Sequence, residues 1–320
     1  MINRTIVRTR VIQTLFAYYQ SSETSIVRAG KALSRSFSDT YSLYITLLAF
    51  VNELTDYAQT QLAENVSRAR AIHVSYTPNR RFVENRFAQQ LYLNRTLRHY
   101  IEEEQLNWEA GQTTISNIYR QLVELPFFKD YMSAPESSYE SDKTVWRKIF
   151  GELLPNNEEL QSGLEELEIS LDKQNWTVDV DVVLSYIVKT IKRFQEDKGA
   201  DQELLPMFDN MEETEFAQRL LEESINHHDE SIQLIHSHLK NWDADRIAFM
   251  DTIILQVALA EIMCFPDIAV EISLNEYIEL AKEYSGDKSY LFVNGILNEI
   301  LLELKRENRL LKPIGKNNKS

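Results

Sequence analysis

Arg4 and Arg8 stand four residues apart in the opening run Arg4-Thr-Ile-Val-Arg-Thr-Arg10. On a helix that spacing separates two side chains by about 40°, so both guanidinium forks can reach neighbouring phosphates. The same face carries Val11 and Leu15, so ordinary ion pairing is the competing use; Arg10 lies on another face. Four histidines, His227, His228, His236 and His238, also invite chemistry. Adjacent and i,i+2 positions on a helix point in different directions, which argues against a shared ion, and no metal site is expected. The lone Cys264 cannot form an internal disulfide, and its apolar neighbours suit a buried thiol in a reducing compartment. No Gly-rich phosphate loop, CxxC pair or nucleophile motif accompanies these residues, so neither a catalytic residue nor a cofactor is expected.

The elements that position these groups are helical. The chain has 320 residues, 43% of them hydrophobic, enough to bury the core of one large or two modest domains. Only 8 Gly and 7 Pro interrupt stretches rich in Leu, Glu, Ala, Gln and Arg, which favours an all-α fold. A first helix is expected over Arg4–Gln20 with Asn3 as N-cap, and a second, amphipathic one over about Ser42–Ser67. Thr77-Pro78-Asn79 breaks the pattern, and interrupted helices follow from about Phe82 to Gln202. The acidic tract Glu158–Glu168 suits an exposed helix face. The last third suits a four-helix bundle: Phe216 to about Lys240, Ala244–Phe265, Leu274–Tyr284 and Tyr290 to about Arg306. Ser273-Leu-Asn-Glu276 has the form of a capping box.

Four segments result: N-terminal helices over residues 1–67, a helical central region over 68–215, the C-terminal bundle over 216–306, and a basic tail over 307–320 expected to be disordered. The most apolar stretch, Ile247–Phe265, contains Asp251 and Glu261 and suits a helix buried in protein rather than a membrane span. The opening residues lack the uninterrupted apolar run of a signal peptide, so a cytoplasmic location is expected. The net charge of −15 opposes phosphate binding on its face. Its distribution is uneven: residues 1–100 hold 13 Lys+Arg against 6 Asp+Glu, leaving 21 against 43 for the rest. Such asymmetry allows a basic surface for nucleic acid and an acidic one for a basic protein, with solvated helix faces as the plainer alternative.

Three stretches then become specific: His238-Leu-Lys-Asn-Trp-Asp-Ala-Asp-Arg246, Leu274-Asn-Glu-Tyr-Ile-Glu-Leu-Ala-Lys282 and Ser289-Tyr-Leu-Phe-Val-Asn-Gly-Ile-Leu297. In this order they resemble the NusB family, and Arg4 to Phe16 resembles its arginine-bearing first helix. The resemblance covers residues 4–21 and 216–303, with no counterpart for the central region. It implies two packed helical bundles, no catalysis, and binding of the boxA RNA element jointly with the small-subunit ribosomal protein NusE in the transcription elongation complex. Thr5 and Ile6 stand where the family often has further arginines, and Tyr290 and Leu291 where it often has His and Lys.

Under that resemblance Arg4 and Arg8 become the leading RNA contacts. Phe292 occupies an aromatic position near the family's RNA face, where a ring can stack on an unpaired base, although Phe292, Ile296 and Ile300 also form an ordinary core stripe. Lys288 can neutralise a phosphate or be merely solvated, and Asp251 matches an acidic family position near the partner junction. Asn294 and Gly295, inside a helix, are expected to be structural, through a buried hydrogen bond and a close helix approach. Certain rRNA cytosine methyltransferases also resemble NusB in one domain, but their cofactor loop and catalytic cysteine have no match here. A protein-only scaffold that has lost RNA binding is the alternative.

Overall fold

The computed structural model describes residues 1–21, 24–239, 247–286 and 288–310. Among these the chain is helical, with one isolated bridge between Ile2 and Phe208 in place of any strand. Two compact units emerge: residues 1–37 with 208–320, and residues 38–207. The division between them falls within a single long helix, α2 (Ile26–Ala71), which begins well before the expected Ser42. Ser25 starts it by accepting the Arg28 N–H.

The first unit contains α1 (Arg4–Gln20), capped by Asn3, whose side chain accepts the Ile6 N–H at 3.0 Å. Its later helices are numbered in chain order after those of the central segment: α10 (Met211–Asn226), α11 (His228–Ser237), α12 (Phe249–Cys264), α13 (Val270–Tyr284) and α14 (Ser289–Arg306). The central segment supplies α3 (Arg86–Leu93), α4 (Arg95–Glu103), α5 (Gln112–Glu124), α6 (Pro126–Ser133), α7 (Tyr139–Lys148), α8 (Glu158–Ser170) and α9 (Trp176–Arg193). A short π-helical turn, Ile149–Leu153, follows α7, and a 3-10 turn, Glu196–Asp201, follows α9.

Helix α12 is the hub of the first unit. It is apolar on every side, with Ile253 to Ile262 buried without interruption, and packs against α1, α10, α11, α13 and α14. A helix with no polar face must be enclosed by others, which is why this stretch sits inside the bundle. Two sequence expectations for this unit need correction. The single helix expected from Phe216 is two, because His227 is a joint: its N–H closes α10 on the Glu223 carbonyl while its own carbonyl starts α11 through Ser231. Helix α13 begins at Val270, so Ser273 and Glu276 are interior residues rather than a capping box. Ser273 Oγ instead donates to Glu261 Oε1 at 2.6 Å. Lys240 and most of the 238–246 motif lie outside the described residues, as does the tail from residue 311; Arg309 pairs with Glu230 and Glu307.

The second unit is built around α2, whose residues Leu43 to Leu54 include a nearly continuous buried run. Trp108 and Trp176, both fully buried, donate their indole N–H groups to the Thr46 and Asp39 carbonyls at 3.0 and 2.8 Å. Asn85 and Asn94 cap α3 and α4 from buried positions. In the acidic tract, Glu158, Glu165 and Glu166 of α8 are exposed, as expected of a solvated face. Opposite them Gly163 is buried so closely against α5 that a Cβ would collide with Thr114.

Candidate functional site

Of the three arginines on α1, only Arg4 reaches the surface. Its side chain is 41% exposed, lies 3.5 Å from Glu213 and stacks over the Phe216 ring at 5.1 Å. Arg219 of α10 stacks in the same way over Phe265, at 4.6 Å, and the two rings meet edge to face. These four residues line a pocket of about 240 Å³, shared with Glu212, Glu215 and Asp267. Two guanidinium groups flanking an aromatic pair can hold a planar ring or a phosphate, and the carboxylates limit how much negative charge the pocket accepts.

Arg8 does something else. It is 2% exposed, and its Nε and Nη2 donate to the two oxygens of Glu261 at 2.8 and 2.9 Å, a bidentate fork, while Nη1 reaches Glu276 at 3.2 Å. Tyr277 and Ser273 complete the shell by donating to Glu261. Burial works against ionising Glu261, but the Arg8 fork and the two hydroxyl donors outweigh it and hold the carboxyl below its ordinary range. Burial and the neighbouring Glu261 charge push the Tyr277 phenol far up, so it stays a donor. Arg8, expected as an RNA contact, is thus buried here, its guanidinium tying α1 to α12 and α13. Thr5, in one of the family's arginine positions, joins the same cluster through Glu276 at 2.9 Å. Arg10 is also buried and bonds Gln13.

The remaining candidates separate in the same manner. Phe292 is 6% exposed, in the core stripe with Ile296 and Ile300, so its ring has no face for a base without rearrangement. Lys288 is exposed at the N-cap of α14, followed by Leu291, which is 50% exposed. Asp251 is 4% exposed, and burial raises its pKa, with the hydroxyls of Ser285 and Ser289 opposing the rise. Buried at the start of α12, it does not present its carboxylate at the surface. Beside it Phe249 is 45% exposed and packs on Phe16 at 5.4 Å. Asn294 is half-buried and accepts from Asn298, one turn on, so its bond lies at the surface and not in the core. Gly295 is half-buried in α14.

The histidines take separate partners: His227 has Glu223 and Glu230, His228 has Tyr19, and His238 has Glu303. What the histidine spacing does not reveal is a mixed cluster. Glu223, His227 and Cys264 each offer a ligand atom, all within 4.8 Å of one another. The Glu-x-x-x-His spacing was legible as one helix face; Cys264, arriving from α12, was not. Burial and the Glu223 carboxylate push the Cys264 thiol up to about 11.

The comparisons with known proteins point one way. The NusB family model matches residues 180–301, from within α9 through most of α14. The transcription antitermination protein NusB of Salinibacter ruber is 35% identical over 123 residues, covering 37% of this chain and 77% of that protein. The proteins of the same name from Finegoldia magna and Bacillus subtilis are 39% and 41% identical over 102 and 91 residues, covering 73% and 70% of their own lengths and 32% and 28% of this chain. No solved structure matches. Matches of this depth across most of the relatives' length, in a chain whose matched region includes α10 to α13 and most of α14, show that the protein belongs to the NusB family.

Proposed function

We propose that the protein is a non-catalytic, cytoplasmic transcription antitermination factor that binds boxA-type single-stranded RNA together with the ribosomal protein NusE. The observation that carries the RNA half of this reading is the Arg4 pocket, in which a half-exposed arginine on the opening helix shares an aromatic pair with Arg219. Lys288 adds an exposed cation. The partner half rests on the exposed apolar residues Phe249 and Leu291 around Asp251 at the joined ends of α12, α13 and α14. Asp251 itself is buried, so a partner would touch the exposed residues near it. None of the described helices is long and apolar enough to cross a membrane.

One observation favours a protein-only scaffold instead: Arg8 and Phe292, two of the four RNA candidates, are buried. Titrating a labelled boxA-like RNA with wild type and with Arg4→Ala/Lys288→Ala at several salt concentrations separates the two. Each lost phosphate contact removes roughly 0.7 from the single-strand salt slope, so the RNA reading expects a drop of about 1.4. An unchanged slope, or no binding by wild type with NusE present, supports the scaffold.

A further inference from the structure

Glu223 and His227 lie one turn apart on the same face at the end of α10, with Glu223 Oε2 3.3 Å from His227 Nε2. Cys264, the last residue of α12, completes a triangle of oxygen, nitrogen and sulfur ligand atoms within 4.8 Å. The surroundings orient this triangle. Glu230 Oε2 lies 2.9 Å from His227 Nδ1, so with a metal on Nε2 this carboxylate would accept the Nδ1–H and orient the ring toward Glu223 and Cys264. Arg309 holds Glu230 in turn. Arg219 sits 3.7 Å from the other Glu223 oxygen, Oε1, and its Nη2 donates to the Cys264 carbonyl at 2.7 Å, fixing both the carboxylate and the end of α12.

We propose that Glu223, His227 and Cys264 form a binding site for a zinc-type divalent cation. Sulfur and imidazole ligands select a borderline cation over magnesium or calcium, which take oxygen shells. Ligand atoms around tetrahedral zinc stand about 3.5 Å apart, so the widest separation in the triangle closes by roughly 1 Å, within the reach of partly exposed side chains. The carboxylate and thiolate neutralise the ion, and the thiol proton passes to solvent as the metal–sulfur bond forms. Three protein ligands leave the fourth position to water. The site pins the His227 joint between α10 and α11 to the C-terminal end of α12, the hub of the unit.

The test uses the full chain, stripped by a chelator and titrated first with Co²⁺, then with Zn²⁺. The expected result is one Co²⁺ per chain with a thiolate-to-metal absorption band, displaced by Zn²⁺. The band should be absent in Cys264→Ser and weakened in Glu223→Gln and His227→Gln. Glu230→Gln should bind about 10- to 100-fold more weakly, as loss of an orienting carboxylate predicts. Substituting the exposed His236 with Gln should change nothing. In wild type, where folding is not in question, Zn²⁺ should slow alkylation of Cys264. No band at saturating Co²⁺, a band indifferent to Glu223→Gln and His227→Gln, or alkylation unaffected by Zn²⁺ would overturn the site.

Discussion

The two units bury polar groups in opposite ways. In the first, the centre of the bundle holds a full ion pair: Arg8 chelates Glu261, with Glu276, Ser273 and Tyr277 around them. In the second, buried donors mostly meet neutral acceptors: Trp108 and Trp176 bond backbone carbonyls, Asn85 and Asn94 cap helices, and the 4% exposed Lys143 gives its ammonium to the Phe194 carbonyl. A buried ion pair adds little net stability but fixes which groups must meet, because either partner alone is costly. It sets the register of α1 on α12 and α13, the elements that carry Arg4 and the Phe249 end. The indole and amide bonds of the second unit hold helices without that pH-dependent condition, and the buried Asp142 carboxylate there is met by the Tyr131 hydroxyl and the half-exposed Arg86 rather than by a buried guanidinium fork.

The sharpest way to break this contrast is Arg8→Ala, which strands a buried carboxylate and should destabilise the first unit by about 3–5 kcal/mol at neutral pH. The sign of its pH dependence is distinctive. In wild type Glu261 titrates below the ordinary glutamate value, so its contribution is complete above that value and lost as pH falls through the lowered one. Without Arg8, burial is opposed only by the Ser273 and Tyr277 hydroxyls and raises the carboxyl, so the penalty should shrink as pH falls through that raised value and be gone below about 4.3, where the group enters the core neutral. Denaturant melts at pH 7 and pH 4 would show it, and a penalty equal at both would mean the ion pair does not organise the unit.

Gly163→Ala probes the other side of the contrast. The added methyl would strike Thr114 and force α5 and α8 apart, at a cost of roughly 1–3 kcal/mol independent of pH. Thermal melts at the same two pH values would check this, and a cost that changes with pH would blur the distinction between the units. Arg4→Ala should cost least, below about 1 kcal/mol, because a half-exposed arginine 3.5 Å from Glu213 contributes as a screened surface pair. Its effect should appear in RNA binding, through the salt slope, and not in the melt.

Helix α1, its Asn3 cap and the all-helical class were legible because local spacing and capping chemistry decide them. The two roles of α1's arginines were not. Arg4 and Arg8 share a helix face, and periodicity gives that face without saying where the surface ends; one turn carries Arg8 beneath it. Glu261 was visible as a charge in an apolar run, which marks a buried group needing a partner, but its partner lies 253 positions away. A close helix approach occurs at Gly163, where the neighbour, Thr114, lies on another helix and outside any local pattern. The start of α2 was missed because Ser34, Ser36 and Ser38 dilute its amphipathic pattern, and packing of Leu33 and Phe37 overrides their weak propensity.

The reading of this chain as an RNA-binding antitermination factor comes down to whether RNA and a basic ribosomal protein bind it together. The first unit holds 17 Lys+Arg against 22 Asp+Glu, so under the proposed function RNA alone should bind weakly, and a basic partner would offset that field. The decisive measurement is the affinity for a boxA-like RNA by titration with and without the NusE homologue, repeated in reverse by titrating that partner with and without RNA. The account predicts at least about a fivefold gain at moderate salt, of the same size in both directions, since coupling between two ligands is reciprocal. Equal RNA affinity with and without the partner, or no partner binding at all, would contradict it.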